Sequence, residues 1–227
     1  MHRLLYLVLG APDSGRKAIV RDLIEGGLTN EESAQIFTNE MTHDTERVST
    51  WDWENEAIIL PEEAKESTDR HQFLILSPYI NLADQIEASI DLLAIDNELI
   101  LARILLVVHC GLLEETSPQL RKWHEACLHF TDVVLLNRRE GVNQKLIEEL
   151  KDHYESMHLP VVLEYVRRDR IANPAKILDP TPRRLTQLFE TEEDLDLDFI
   201  DEYLERLPSG DRAKQIPLPF GEQVQFE

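Results

Sequence analysis

The chain has 227 residues, 42% of them hydrophobic, with 44 acids against 23 bases and a formal charge of −21. That balance excludes a nucleic-acid binder, which needs a basic footprint, and general electrostatic docking on anionic membrane. Two cysteines exclude a disulfide scaffold, and no segment reaches the roughly 18 apolar residues of a membrane helix, so the expectation is a cytoplasmic protein with reduced thiols.

Leu4–Leu9 is a continuous apolar run of strand length, the pattern of a parallel strand buried on both faces. A glycine loop follows, then a helix predicted over Arg16–Glu25 with Gly26 and Gly27 as its stop. Further strands are predicted at Ala34–Thr38, Ala57–Leu60, Phe73–Leu76, Ile104–Val108, Val133–Leu136 and Val161–Tyr165. Helices are predicted at Leu82–Asp96, Pro118–Phe130 and Asn143–His153. Such alternation implies crossover connections and an α/β fold, a mostly parallel sheet flanked by helices. Ligands of these sheets sit at the carboxyl ends of the strands.

Residues 190–227 carry twelve acids and three bases, nearly half the excess charge in a sixth of the chain. Leu197, Ile200, Leu204 and Leu207 fall at helical spacing there, which predicts an acidic amphipathic helix. The stretch after Gly210 has two prolines and no period and reads as an extended tail. The organisation expected is therefore a P-loop-like domain over 1–189, then an acidic helix and tail over 190–227.

The first loop reads Gly10-Ala11-Pro12-Asp13-Ser14-Gly15-Arg16-Lys17. A phosphate-binding loop is G-x-x-x-x-G-K-S/T between strand and helix. Both glycines are in place, but Arg16 stands for the lysine and Lys17 for the magnesium-binding hydroxyl. Gly10, Asp13, Ser14, Gly15, Arg16 and Lys17 are the candidate phosphate-binding residues, since backbone amides and a helix N-terminus can cradle an anion without the missing groups. The alternative is a strand–turn–helix connection that needs glycine for its backbone angles alone. Asp13 is a candidate internal substitute for phosphate. Asn137-Arg138-Arg139-Glu140 follows DVVLL, where guanine-specific proteins carry N-K-x-D. Asn137, Arg138 and Glu140 are the candidate base-binding residues; the alternative is a polar loop at a strand end.

With these motifs the chain resembles the CobW-type GTPases, relatives of the UreG and HypB metallochaperones, over about residues 3–180. HEACLHFTDVVLLNRREGV resembles the stretch that ends in the family's N-K-x-D. IFTNEMTHDTERV resembles the second strand and switch, signature N-E-F-G and then Asp; Asn39, Glu40 and Asp44 match, Met41 and Thr42 do not. Ser77 and Pro78 echo the E-T-S-G segment, whose acid is lost, and His109 replaces the Asp of a V-D strand end. The family's G-C-x-C-C motif is absent. The resemblance implies a P-loop NTPase-like fold with a GTP/GDP cleft, but the residues that serve phosphate, magnesium and water in the family are replaced here. The expectation is a degenerate member with weak or no GTP hydrolysis, no resident metal and a doubtful magnesium site. It would act through a protein partner, with a homodimer among the options. Alternatives are an active metallochaperone-type GTPase and a pure interaction module with a collapsed site.

Three other groups have competing readings. His124 and Cys127, at i, i+3 on one helix, could ligate a soft metal, but core packing is the favoured reading. Trp51 and Trp53 are read as covering a sheet edge rather than forming a partner surface. Arg167, Arg168, Arg170, Arg183 and Arg184 form a basic patch, read as pairing with the acidic C-terminal helix.

Overall fold

The structure, a computed structural model, describes residues 2–40, 47–65, 67–115, 117–189 and 200–221. A seven-stranded parallel sheet forms the centre, in the spatial order β3 (Val48–Thr50), β2 (Ala34–Thr38), β6 (His71–Ile75), β1 (Arg3–Gly10), β7 (Leu99–His109), β8 (Val133–Asn137) and β9 (Val162–Tyr165). A two-stranded antiparallel ribbon, β4 (Asp52–Glu54) with β5 (Ala57–Ile59), stands apart from it, so the strand predicted near Ala57 is not a member of the main sheet.

The continuous apolar runs have a direct cause. On β1, Leu5, Leu7 and Leu9 join the core on one face, and Tyr6 and Val8 join the core on the other. Helices α3 (Leu82–Ile95), α4 (Pro118–Phe130) and α5 (Gln144–Ser156) cover the first face. Helices α1 (Arg16–Gly27) and α6 (Pro174–Leu178) cover the second. Each fully buried Leu or Ile contributes about 1.5–3 kcal/mol, so the two layers are the main source of stability. Trp51 is fully buried, donates from Nε1 to the Ile75 carbonyl at 3.0 Å and covers the sheet beside the partly buried Trp53. Helix α2 (Glu62–Lys65) is a single turn before β6.

The predicted boundaries shift in two places. Gly26 and Gly27 form the last turn of α1 rather than its stop, and β7 begins five residues before Ile104, at Leu99. The C-terminal expectation needs a larger correction. Residues 190–199 lie outside the described residues, and those from Ile200 to Leu207 form a turn and an isolated bridge, not a helix. The buried Asp201 is the reason: its carboxylate accepts from Tyr203 N, Thr186 Oγ1 and His129, and its carbonyl accepts from Leu204 N and Glu205 N. The turn closes around that hub. Ile200 and Leu207, expected on an apolar stripe, are 67% and 47% exposed. The rest of the stretch packs back on the main core through Tyr203 and Ile216, with Phe220 edge-on to Trp123. Arg212 clamps it to Asp84 and Glu87 of α3. Among the described residues, no helix is long and apolar enough to cross a membrane.

Candidate functional site

β1 and β7 are neighbours, but the chain leaves β1 towards β2 and leaves β7 towards β8 on the opposite side. A crevice opens where such connections diverge. It has a volume of about 760 Å³ and is lined by the Pro12–Ala18 loop together with Glu40, Tyr79, His109 and Arg138.

The loop requires both glycines. Gly10 has φ +154°, and a Cβ there would lie 2.6 Å from the Val107 carbonyl oxygen. Gly15 has φ +91°, and its Cβ would lie 2.6 Å from Asn137 Nδ2 and 2.8 Å from Asp169 Oδ1. Gly15 is also the N-cap of α1 and supplies no side-chain cap, so the first-turn amides of the helix face the crevice uncapped by any side chain. Ser14 is fully buried, and its Oγ has no hydrogen-bond partner among the described residues. An ideal Cβ on Gly10 would lie 2.8 Å from that oxygen, which places the hydroxyl inside the loop. An uncapped helix start, tight glycines and an unpartnered hydroxyl are together a geometry that can cradle an anion.

The cations of the loop are arranged differently from a phosphate loop. Arg16 is only 4% exposed; its Nη1 donates to the Leu76 carbonyl at 2.6 Å, and its Nη2 donates to Glu40 Oε1. Burial pulls its pKa down, opposed chiefly by Glu40. Lys17 Nζ lies 3.7 Å from Glu40 Oε2. One carboxylate from the switch-like segment thus serves two loop cations. Asp13, the expected internal substitute for phosphate, is exposed with φ +57°; its backbone carbonyl accepts from Arg138 Nε at 3.3 Å, and among the described residues no hydrogen bond to its carboxylate is formed.

Asn137 is 2% exposed and donates from Nδ2 to the Ser14 carbonyl and to Asp169 Oδ1, both at 2.8 Å. Its amide ties the loop to the end of β8. Arg138 lines the crevice and donates from Nη1 to Asp169 Oδ2 at 3.3 Å. Glu140 is exposed and lines neither this crevice nor a second one of about 460 Å³ between α1 and Arg168–Arg170. Asn39 lies beside Glu40 at the end of β2, and Asp44 lies outside the described residues. Asp169 was not anticipated. It sits in a turn after β9 with Arg168 and Asp169 both at positive φ, and its carboxylate joins Asn137 to Arg138. A lone acid among arginines at a strand end was the only signal for it.

The acids at 190–198 expected to pair with the basic patch lie outside the described residues; two of its arginines also meet acids of the domain itself. Arg170 meets Asp22 at 3.1 Å, and Arg184 meets the fully buried Asp132 at 3.2 Å. Cys127 is completely buried and its thiol pKa pushed well up by burial, while burial lowers that of His124 to about 4.

The groups a GTPase implies fit unequally. The loop suits a phosphate. Magnesium lacks its hydroxyl at Lys17, and His109 ends β7 with a nitrogen instead of a carboxylate. A zinc centre has no donor set: among the described residues no group of three His, Cys, Asp or Glu is placed to hold a metal.

No protein-family model matches the chain. No curated protein sequence matches it either. Two solved structures are similar. The Zn(II)-bound YjiA GTPase from E. coli is 9% identical, with a TM-score of 0.51 over 81% of this chain and 67% of that one. A Zn(II)-bound triple mutant of YjiA is 9% identical, with a TM-score of 0.50 over the same shares. The chain therefore shares the fold of the YjiA GTPase.

Proposed function

We propose that this chain is a degenerate CobW-like protein: it keeps a cleft that binds a phosphate-bearing ligand, hydrolyses nucleotide weakly or not at all, and works by engaging a protein partner. The observation that carries the reading is the state of Arg16. The cation in the place of the loop lysine is buried and committed to the Leu76 carbonyl and Glu40, so it is not presented to a phosphate chain. Phosphoryl transfer depends on positioning and on charge placed at the transferring group. Losing one such donor typically costs two to three powers of ten in rate (about 10²–10³-fold), and here the magnesium ligand is lost as well.

Binding depends on other groups. The glycines, the uncapped α1 terminus and Ser14 Oγ do not involve Arg16. Glu140 stands outside the crevice, so recognition rests on the phosphate rather than on the base. A bound GTP or GDP is accommodated by this reading, and magnesium is not required for it. A second reading, an interaction module with no ligand at all, is favoured by the same Glu40 contact, because the carboxylate already neutralises the loop cations.

A thermal-shift series with inorganic phosphate, GDP, GTP and ATP, with and without magnesium, separates the two. The first reading expects stabilisation by phosphate-bearing ligands that is indifferent to magnesium, and phosphate release no faster than a blank. No stabilisation by any of them supports the interaction module, and turnover that follows the protein peak would overturn both.

A further inference from the structure

We propose that an apolar pocket at the amino-terminal edge of the sheet, rimmed by carboxylates, docks a basic segment of a partner protein through one or two bulky apolar side chains. The inference rests on the proposed action through a partner and names the surface for it. The pocket has a volume of about 250 Å³, and Ile58, Ile59, Leu60, Leu92, Ile95 and Leu99 supply its apolar lining. Arg3 and Leu99, at the starts of β1 and β7, both line it, whereas the crevice lies at the carboxyl ends of those strands. Ile95 is 83% exposed and Ile59 44%, so part of the lining is open to solvent. The volume falls below the roughly 300–1,000 Å³ of cofactor and metabolite sites. It suits the anchor side chains of a docked segment.

The surroundings select the charge of that segment. Glu63, Asp91 and Glu98 are exposed and each adjoins a lining residue, and Asp96 lines the pocket itself. Asp52, paired across the ribbon with Ile59, and Glu62 of α2 add to the rim. Against these six acids stand Arg3, which is already paired with Asp96, and Lys65. Helix α3 ends here with no base in its last turn, so its carbonyl end adds a partial negative charge. An apolar socket inside a negative rim is complementary to an apolar anchor flanked by lysine or arginine. The segments outside the described residues contain acids but no lysine or arginine, so none brings the charge this rim attracts. A second copy of the chain brings a charge of −21.

Fluorescence anisotropy with the full chain tests the proposal. The probe is a labelled lysine peptide carrying two leucines one helical turn apart; its controls replace the lysines by glutamate or the leucines by serine. The expected result is saturable binding of the lysine–leucine peptide alone, weakened about tenfold by Ile95→Ser. Ile95 is so exposed that its serine variant keeps the fold. Met157→Ser, which removes an exposed apolar side chain elsewhere, should bind as the wild type does. Equal binding of either control peptide, or equal affinity in Ile95→Ser, overturns the proposal. So does a wild-type dimer that Ile95→Ser makes monomeric, which would seat a second copy in the pocket. Phosphate binding reads the crevice separately: absence of peptide binding with phosphate still bound removes the pocket and leaves the cleft.

Discussion

Glu40 reaches from the end of β2 to Arg16 at the start of α1, a contact between a 27%-exposed carboxylate and a guanidinium whose side chain is only 3% exposed. The arginine is held inside the molecule by that carboxylate and by the Leu76 carbonyl. Removing one partner of such a pair strands the other, and the loss is smaller when the group left behind is the more exposed one, here Glu40 rather than Arg16.

Glu40→Gln should therefore cost about 1–3 kcal/mol in urea unfolding, because the buried guanidinium loses its counter-charge but keeps an acceptor. Arg16→Met should cost less. Glu40→Gln should also raise the affinity for inorganic phosphate several-fold, since Lys17 and Arg16 lose their internal carboxylate. Phosphate titration followed by thermal shift checks this; unchanged affinity would remove Glu40 from any role in the crevice.

Gly15→Ala should destabilise by about 1–3 kcal/mol from the positive φ alone. The close approach to Asn137 and Asp169 adds to this. Gly141 makes a control: it has φ +81° but nothing within 4 Å of a built Cβ, so its alanine variant should show only the backbone share of the loss. Equal losses at the two sites would mean that the Asn137–Asp169 contact does not press on the loop.

Asn137→Ala removes two hydrogen bonds and leaves the Ser14 carbonyl and Asp169 short of a donor, for a cost of about 1–3 kcal/mol. The loss should appear as faster amide exchange in the Gly10–Gly15 loop. If exchange there is unaltered while global stability falls, Asn137 supports the end of β8 but not the loop.

Glu32 sets an acid limb of the stability profile. A hydrogen bond from Thr29 N and then one from His71 lower its pKa from 4.5 to about 2. A carboxyl depressed in the folded state contributes stability that is present above its unfolded pKa and is lost as pH falls through the folded value. Stability should decline between pH 4.5 and about 2. Glu32→Gln should flatten that decline, as followed by urea midpoints across the range. An unchanged slope would assign the acid limb to other carboxyls, of which Asp201 is the first candidate. Burial alone would raise its pKa, but hydrogen bonds from His129 and Thr186 outweigh burial and hold it low.

The sheet was legible because strands buried on both faces, such as Leu4–Leu9, must be apolar at every position. The crevice was legible from Gly10 and Gly15, since tight backbone angles leave a mark in residue type. What the side chains do there was not. Arg16 turns inward because the Leu76 carbonyl just after β6 and the Glu40 carboxylate just after β2 meet it, and no local pattern encodes contacts across 60 and 24 residues. Asn137 and Glu140 share a motif of four residues, yet one is buried under the loop and the other faces solvent. The C-terminal helix is not formed from Ile200 to Leu207 for a similar reason: helical spacing counted Ile200 and Leu207 as one face, while the buried Asp201 gathers donors from distant elements and closes a turn.

Calorimetric titration of GTP into the protein, with magnesium and again with a chelator, distinguishes a phosphate cleft without magnesium-dependent turnover from an active GTPase. Such a cleft gives weak saturable heats of the same affinity in both, and a baseline that returns to its starting value after each injection. Binding that tightens sharply with magnesium, followed by a sustained heat of hydrolysis, would contradict it.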